Sequence, residues 1–338
     1  MVTSLPTRPL GESGPAITRI GIGAWAFGGS GWVDSWGSQD DADSIAAIRQ
    51  AVDSGVNWID TAPIYGLGHA EEVVGRALRQ IPEADRPYVF TKAGVIWDDE
   101  RPRDKPALIA TARSLRAELE ASLRRLDVEW IDLYQVHAPP TDGTSIEDYW
   151  QTFCEFRDEG KVRALGLSNH TVGELDTALT VGPVDAVQPK FNLIHRDAAD
   201  VLAWCVLHGV GAIVYSPLAS GLLTGAFSAG RVASLDAEDW RRTHPDFSGE
   251  ALARNLEIVE ALRPIAARHA VTVAAIAVAW TLQTDGVTGA IVGLRRPDQI
   301  HGWLDAADLI LDDTDFAEIA EAVDRASAAA PPLARRDE

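Results

Sequence analysis

Lysine is nearly missing from this chain. Of 30 basic residues only Lys92, Lys105, Lys161 and Lys190 are lysines, and arginine supplies the rest. Acids outnumber bases 50 to 30, for a formal charge of −20. That balance argues against a nucleic-acid backbone or an anionic membrane surface as partner. The two cysteines, Cys154 and Cys205, lie in helix-like segments without C-x-x-C spacing, which reads as reduced structural thiols. No uncharged apolar run reaches the ~18 residues of a membrane span. The start, Met1-Val2-Thr3-Ser4-Leu5-Pro6, lacks the basic and apolar regions of a signal peptide. The expectation is a cytoplasmic, soluble protein with no metal centre. Where arginine is the default cation, a lysine closing a strand calls for a specific reason.

What the chain does have is length, apolar content and a repeating order of elements. Its 338 residues, 46% hydrophobic, can bury a large core and suit two ordinary domains or one α/β barrel. Residues 8–16 read as a β-hairpin turning across Gly11-Glu12-Ser13-Gly14, and 17–23 as the first core strand. Strand and helix patterns then alternate: a helix around Ile45, Ile48 and Val52, a strand from Val56, helix 70–80, strand 87–92, helix 107–125 and strand 130–136. Helix 145–159, strand 162–167, helix 171–179, strand 184–188, helix 197–208 and strand 210–215 follow. Helices at about 249–267 and 272–283 precede a last strand at 289–293. Eight such units without a composition break predict one α/β domain over 1–338, a (β/α)8 TIM barrel with an N-terminal hairpin. Its core would span about 8–325, with a flexible tail at 326–338. A doubly wound sheet is the competing arrangement. Two loops, 26–40 and 216–248, exceed the usual connection length and suit lids or insertions.

In a barrel, chemistry gathers where strands end. Three strands end on or beside an ionisable residue: Trp58-Ile59-Asp60, with Tyr65 five residues on; Val89-Phe90-Thr91-Lys92; and Ile131 through His137. Singly, each has an ordinary reading, as turn cap, rim ion pair or core histidine. Together Asp60, Tyr65, Lys92 and His137 make a proton-delivery set. An ammonium lowers a phenol's pKa, a carboxylate keeps that ammonium charged, and an imidazole orients a carbonyl oxygen. The set suits protonation of an alkoxide as hydride reaches a carbonyl carbon. Gly21-Ile22-Gly23-Ala24-Trp25-Ala26 fits a dinucleotide fingerprint, but Phe27-Gly28-Gly29-Ser30-Gly31 follows where a helix is required, so that reading is rejected.

Asp60-Thr61-Ala62-Pro63-Ile64-Tyr65-Gly66 with Glu71-Glu72-Val73-Val74-Gly75 resembles the signature of the aldo-keto reductase superfamily. So do Thr91-Lys92, Leu123-Arg124-Arg125-Leu126, Ile131 through His137 and Gly160-Lys161-Val162-Arg163-Ala164-Leu165-Gly166-Leu167-Ser168-Asn169. The resemblance spans about 8–325 and extends to potassium-channel β-subunit-like branches. It implies a barrel that binds NADPH, with NADH also possible, and reduces aldehydes or ketones to alcohols. Tyr65 would be the general acid, Lys92 and Asp60 would lower its pKa, and His137 would position the carbonyl. Ser168, Asn169 and Gln188 would hold the nicotinamide carboxamide, Tyr215 would stack on its ring, and Ala24 and Trp25 would end the first strand beside it. Ser216, Pro217, Leu218, Gly221 and Leu222 would cover the pyrophosphate. Gly293, Arg295 and Gln299 would hold the adenosine 2′-phosphate.

The chain departs from the family pattern at Ala226, where lysine is common, and at Gly302 and Trp303, where Glu and Asn often bind adenine. Trp303 would stack on that adenine. Trp25, Trp32, Trp36 and Trp97 fall on rim loops, with Trp32 and Trp97 as substrate-pocket candidates able to stack on sugar faces. Ala138, where tryptophan is common, widens the pocket. Lys190, Asn192, His195 and Arg196 could reach a polar or anionic substrate, which leaves a small aldehyde, a sugar aldehyde or an aldose lactol open. Two alternatives are a sugar dehydrogenase running in the oxidative direction and a cofactor-sensing regulatory subunit. A two-carboxylate glycosidase fits poorly, since no second rim acid pairs with Asp60.

Overall fold

A computed structural model of the chain describes residues 5–12 and 14–328. The chain opens with an antiparallel hairpin of β1 (Thr7–Pro9) and β2 (Ala16–Thr18). Ser13 of the expected turn, and the tail from 329 on, lie outside the described residues. Ile17 and Thr18 belong to this hairpin and not, as expected, to the first core strand. Thr18 Oγ1 donates to the Ile20 carbonyl, its NH donates to Asn57 Oδ1, and the chain changes partner across Arg19.

The barrel strands are β3 (Ile20–Gly23), β4 (Trp58–Asp60) and β5 (Tyr88–Ala93). A small ribbon, β6 (Val95–Ile96) with β7 (Ala107–Leu108), sits beyond β5. Then come β8 (Ile131–Val136), β9 (Val162–Ser168), β10 (Ala186–Gln188), β11 (Gly211–Tyr215) and β12 (Val287–Gly293). All pairs around the ring are parallel, and β12 closes onto β3. This is a (β/α)8 TIM barrel.

The helices are α1 (Asp41–Asp53), α2 (His69–Leu78), α3 (Ala112–Leu126), α4 (Ile146–Asp158), α5 (Val172–Val181) and α6 (Ala199–His208). A short α7 (Ala229–Ala233) precedes α8 (Gly249–His269), α9 (Val273–Gln283) and α10 (Asp313–Ala328). Several start on side-chain caps that satisfy otherwise orphaned amides. Asp40 Oδ1 accepts from Ala42 N, Thr111 Oγ1 from Ser114 N, and Thr171 exchanges a capping box with Glu174. The Thr111 cap is why α3 begins at Ala112 rather than near 107, which is spent in the ribbon. No single helix among the described residues is long and apolar enough to cross a membrane.

The pleat sorts the barrel interior into layers. Trp58, Phe90, Leu133, Ala164, Ala186, Ile213 and Ile291 form an apolar layer, with Leu10 and Ile17 of the hairpin packed on it. Two residues further along each strand point the same way. That step brings Asp60, Lys92, Gln135, Gly166, Gln188, Tyr215 and Gly293 to the C-terminal rim, with Ser168 one step beyond Gly166. Gly21 makes room for the Trp58 indole, since a Cβ there would lie 2.1 Å from the ring. The long loops are both ordered. Trp25 stacks on Trp240 at 5.4 Å, Gly31 N donates to Glu238, and Glu238 also pairs with Arg103 at 2.5 Å.

Candidate active site

Lys92 comes from the end of β5 with no solvent exposure, and Asp60 from the end of β4 at 3%. Their Nζ and Oδ1 atoms are 2.5 Å apart, and the ammonium also donates to the Thr61 carbonyl at 2.9 Å. Burial lowers the lysine's pKa, and Asp60 opposes that shift. The second carboxylate oxygen accepts from Gln135 Nε2 at 3.2 Å and Gln188 Nε2 at 2.8 Å. Buried charges persist only when paired and hydrogen-bonded in this way.

Above the pair stands Tyr65, its ring centroid 5.4 Å from Lys92 Nζ. Its position follows from a close backbone contact between two turns. A Cβ on Gly66, which has φ of +64°, would lie 2.2 Å from the Gly28 carbonyl oxygen. The His137 ring lies edge-on to Tyr65 at 5.9 Å. Burial, and secondarily Lys92, drive the imidazole pKa well below its usual value, so the ring is neutral at physiological pH. Its Nδ1 is buried and has no hydrogen-bond partner among the described residues.

The phenol's electrostatics differ from the expectation. Burial, then Asp60 and Asp34, raise the Tyr65 pKa well above 10, outweighing any lowering by Lys92. Here Tyr65 is a firmly protonated donor. Lys92 remains the cation closest to the charge left behind when that proton departs.

The remaining rim carries the other expected residues. Ser168 Oγ donates to the Gln188 carbonyl, Asn169 Nδ2 donates to Ser168 Oγ and the His137 carbonyl, and Tyr215 OH donates to Asn169 Oδ1 at 2.9 Å. Ser168, Asn169 and Tyr215 are thus joined, while the Gln188 amide is turned inward to Asp60 and to Gln135 Oε1. Five of the seven described non-glycine residues with positive φ lie on this rim: Leu67, Asn169, Ser216, Ala219 and Ser220. Such backbone clusters at functional sites. The stretch Ser216–Gly221, with Pro217 and Leu218, curls over the rim and is tied down by Asn192 Nδ2 to the Ser216 carbonyl and by Arg241 to the Ser220 carbonyl. Leu222 is buried beneath it.

The tryptophans gather around Tyr65, while Asn192, His195 and Trp303 sit elsewhere than expected. Ala24 follows β3 directly, its NH donating to the Asp60 carbonyl. A 3-10 turn (Trp25–Gly28), not a long helix, follows it. Trp25 packs between Tyr65 (6.1 Å) and Trp240, so it walls the tyrosine's pocket. Trp32 approaches Tyr65 at 6.4 Å, and Trp97, its indole NH on Asp99, packs in the same cluster. Asn192 is fully buried and structural, and His195 pairs with Asp246 at 2.8 Å. Trp303 is 3% exposed and packed in the core, which removes it as an adenine-stacking surface.

Gly293 is open at the end of β12, and the next turn is closed by the chain itself. Arg295 N and Arg296 N both donate to Gln299 Oε1, at 2.6 and 3.1 Å. The Arg295 guanidinium is bound to Gln39 Oε1 and to the carbonyls of Trp36 and Ser38. Sequence reasoning missed three participants. Gln135 was discoverable, lying two residues before His137 on the same strand face. Gln39 carries no local signal, since Arg295 is remote in the chain, and Arg241 is tied locally to Asp239 as well as to the Ser220 carbonyl.

Fold and rim define a TIM-barrel protein with a buried Lys92–Asp60 pair beneath Tyr65 and His137 at the strand ends. The chain belongs to the aldo/keto reductase family, whose family model matches residues 19–324. It is 33% identical over 314 residues to "Aldo-keto reductase YhdN" of Bacillus subtilis, covering 92% of this chain and 91% of the relative. It is 32% identical over 330 residues to the "NADH-specific methylglyoxal reductase" of Escherichia coli, covering 94% and 99%. The solved structure of glycerol dehydrogenase AKR11B4 from Gluconobacter oxydans superposes with a TM-score of 0.85 at 34% identity, covering 98% of each chain.

Proposed function

We propose that the protein reduces a small aldehyde or ketone, hydroxylated or sugar-like, to the alcohol at the expense of a nicotinamide dinucleotide. The observation that carries this reading is the Tyr65 ring, 5.4 Å from Lys92 Nζ, standing over the sealed Lys92–Asp60 pair. A bound nicotinamide would supply the two electrons of the reduction. Ser168, Asn169, Gln188 and Tyr215 are the residues suited to hold its ring end, and Ser216–Leu222 its pyrophosphate; hydroxyl, amide and aromatic groups there fit such a ligand.

The neutral His137 orients the substrate's carbonyl oxygen. Tyr65 gives that oxygen its proton as negative charge develops on it, and Lys92 stabilises the phenolate that remains. Asp60, braced by Gln135 and Gln188, keeps Lys92 charged and in place. Trp25, Trp32 and Trp97 supply apolar walls suited to the CH faces of a polyol or sugar. The names of two relatives, a methylglyoxal reductase and a glycerol dehydrogenase, support a small oxygenated substrate. The glycerol dehydrogenase also keeps the oxidative direction in view, since the same residues would then act in reverse.

The test is Tyr65→Phe, assayed with a panel of aldehydes and sugars in both directions. We expect kcat to fall by about 10²–10⁴-fold with dinucleotide affinity nearly unchanged. Reduction at the native rate by this variant would overturn the mechanism.

A further inference from the structure

The turn after β12 is where the family resemblance sets a 2′-phosphate, the group that separates NADPH from NADH. A dianion site needs unspent donors. Here the Arg295 guanidinium and the two backbone amides of the turn are already used. Arg295 Nε donates to Gln39 Oε1 at 2.7 Å, and its two terminal nitrogens reach the Trp36 and Ser38 carbonyls. Gln39 returns the contact through Nε2, which donates to the Arg295 carbonyl at 2.8 Å and to Ser44 Oγ at 2.9 Å. The two backbone amides at the head of the turn are capped by Gln299. Arg296 is exposed and faces Asp298 at 3.4 Å, an acid that repels a phosphate. Ala226 and Gly302 bring no charge.

We infer that Gln39 is a specificity-determining residue: by holding Arg295 against the 36–39 loop it withdraws the one half-buried cation a 2′-phosphate would use, so the site accepts NADH at least as well as NADPH. This departs from the NADPH expectation carried by the family resemblance, and it rests on the nicotinamide reading above. The mechanism is a competition between two acceptors for one guanidinium. Loop carbonyls and a neutral amide are fixed in place, so a phosphate must displace them before it gains its own bidentate contact.

The experiment titrates the quenching of tryptophan fluorescence with NADH, NADPH, ADP and 2′,5′-ADP. For the native protein we expect NADH to bind at least as tightly as NADPH, by up to about threefold, and 2′,5′-ADP to bind no better than ADP. Gln39→Ala frees Arg295 Nε and should improve NADPH and 2′,5′-ADP about tenfold relative to NADH and ADP. Gln39→Glu clamps the guanidinium with a charge and should weaken NADPH several-fold while sparing NADH. Opposite shifts from the two variants are not what a merely structural glutamine would produce. The inference is overturned if native protein prefers NADPH tenfold or more and Arg295→Ala erases that margin. It is equally overturned if both Gln39 variants move NADH and NADPH together. Failure of the native protein to bind any of the four ligands would sink the nicotinamide reading as well, whereas selective NADPH binding would sink this inference alone.

Discussion

Lys92 Nζ and Asp60 Oδ1 are 2.5 Å apart, with the lysine side chain wholly shielded from water. The two halves of this pair are not interchangeable. Asp60→Asn leaves the buried ammonium with the Thr61 carbonyl as its remaining hydrogen-bond partner and Glu71 as its more distant counter-charge, which should cost about 3–5 kcal/mol of stability. Lys92→Met leaves Asp60 with amide donors from Gln135 and Gln188, so its cost should be smaller. Urea melts of both variants decide the point. Equal or larger destabilisation by Lys92→Met would refute the asymmetry.

The pH dependence of reduction should be flat where most enzymes of this kind would be assayed. Tyr65 is held protonated past pH 10, and His137 is held neutral from well below pH 6.5. Neither group changes charge between those limits, so kcat/KM for aldehyde reduction should show no limb from them. It should fall at high pH, as the buried Lys92 or the phenol loses its proton. A limb near pH 8 that persists in Lys92→Met would mean that Tyr65 ionises far more readily than its surroundings imply.

Glu118 on α3 lies behind the β5 rim, its Oε2 accepting from Gly94 N at 2.9 Å and its Oε1 from Ser114 at 3.2 Å. Burial raises its pKa from 4.5 to about 7. A carboxyl raised in the folded state binds its proton more tightly there than in the unfolded chain. Its stabilising effect is therefore complete below pH 4.5 and lost as pH rises through about 7. Glu118→Gln keeps both contacts without the titration. It should melt higher than the native protein at pH 8, by about 1–2 kcal/mol after allowance for solvent screening, and lose that advantage near pH 4.5. A difference independent of pH would rule this out.

Gly66→Ala tests how Tyr65 is placed. The new Cβ meets the Gly28 carbonyl oxygen at 2.2 Å, and the positive φ adds backbone strain, so the two turns must separate. Because Tyr65 is the neighbouring residue, kcat should fall by more than the loss of folding free energy explains, with cofactor affinity changing less. Steady-state kinetics beside a thermal melt would show it; native kcat in a folded variant would not fit.

The elements and their order were legible in the sequence because their signals are local. Short apolar runs marked the strands, helical spacing such as Ile45, Ile48 and Val52 marked the helices, and the strand ends marked Asp60, Lys92 and His137. Errors fell where a tertiary partner redirected a local pattern: Ile17 and Thr18 pair back into the hairpin, and residues 107–108 pair with β6. The family motifs themselves were readable as letters. What only the tertiary structure decided is how those letters are spent. Gln188 turns to Asp60, 128 residues away, Trp303 is packed in the core, and Arg295 is captured by Gln39, 256 residues earlier. A side chain's chemistry is written in its own residue, but its ionisation and free donors depend on neighbours that only folding brings within a few ångströms.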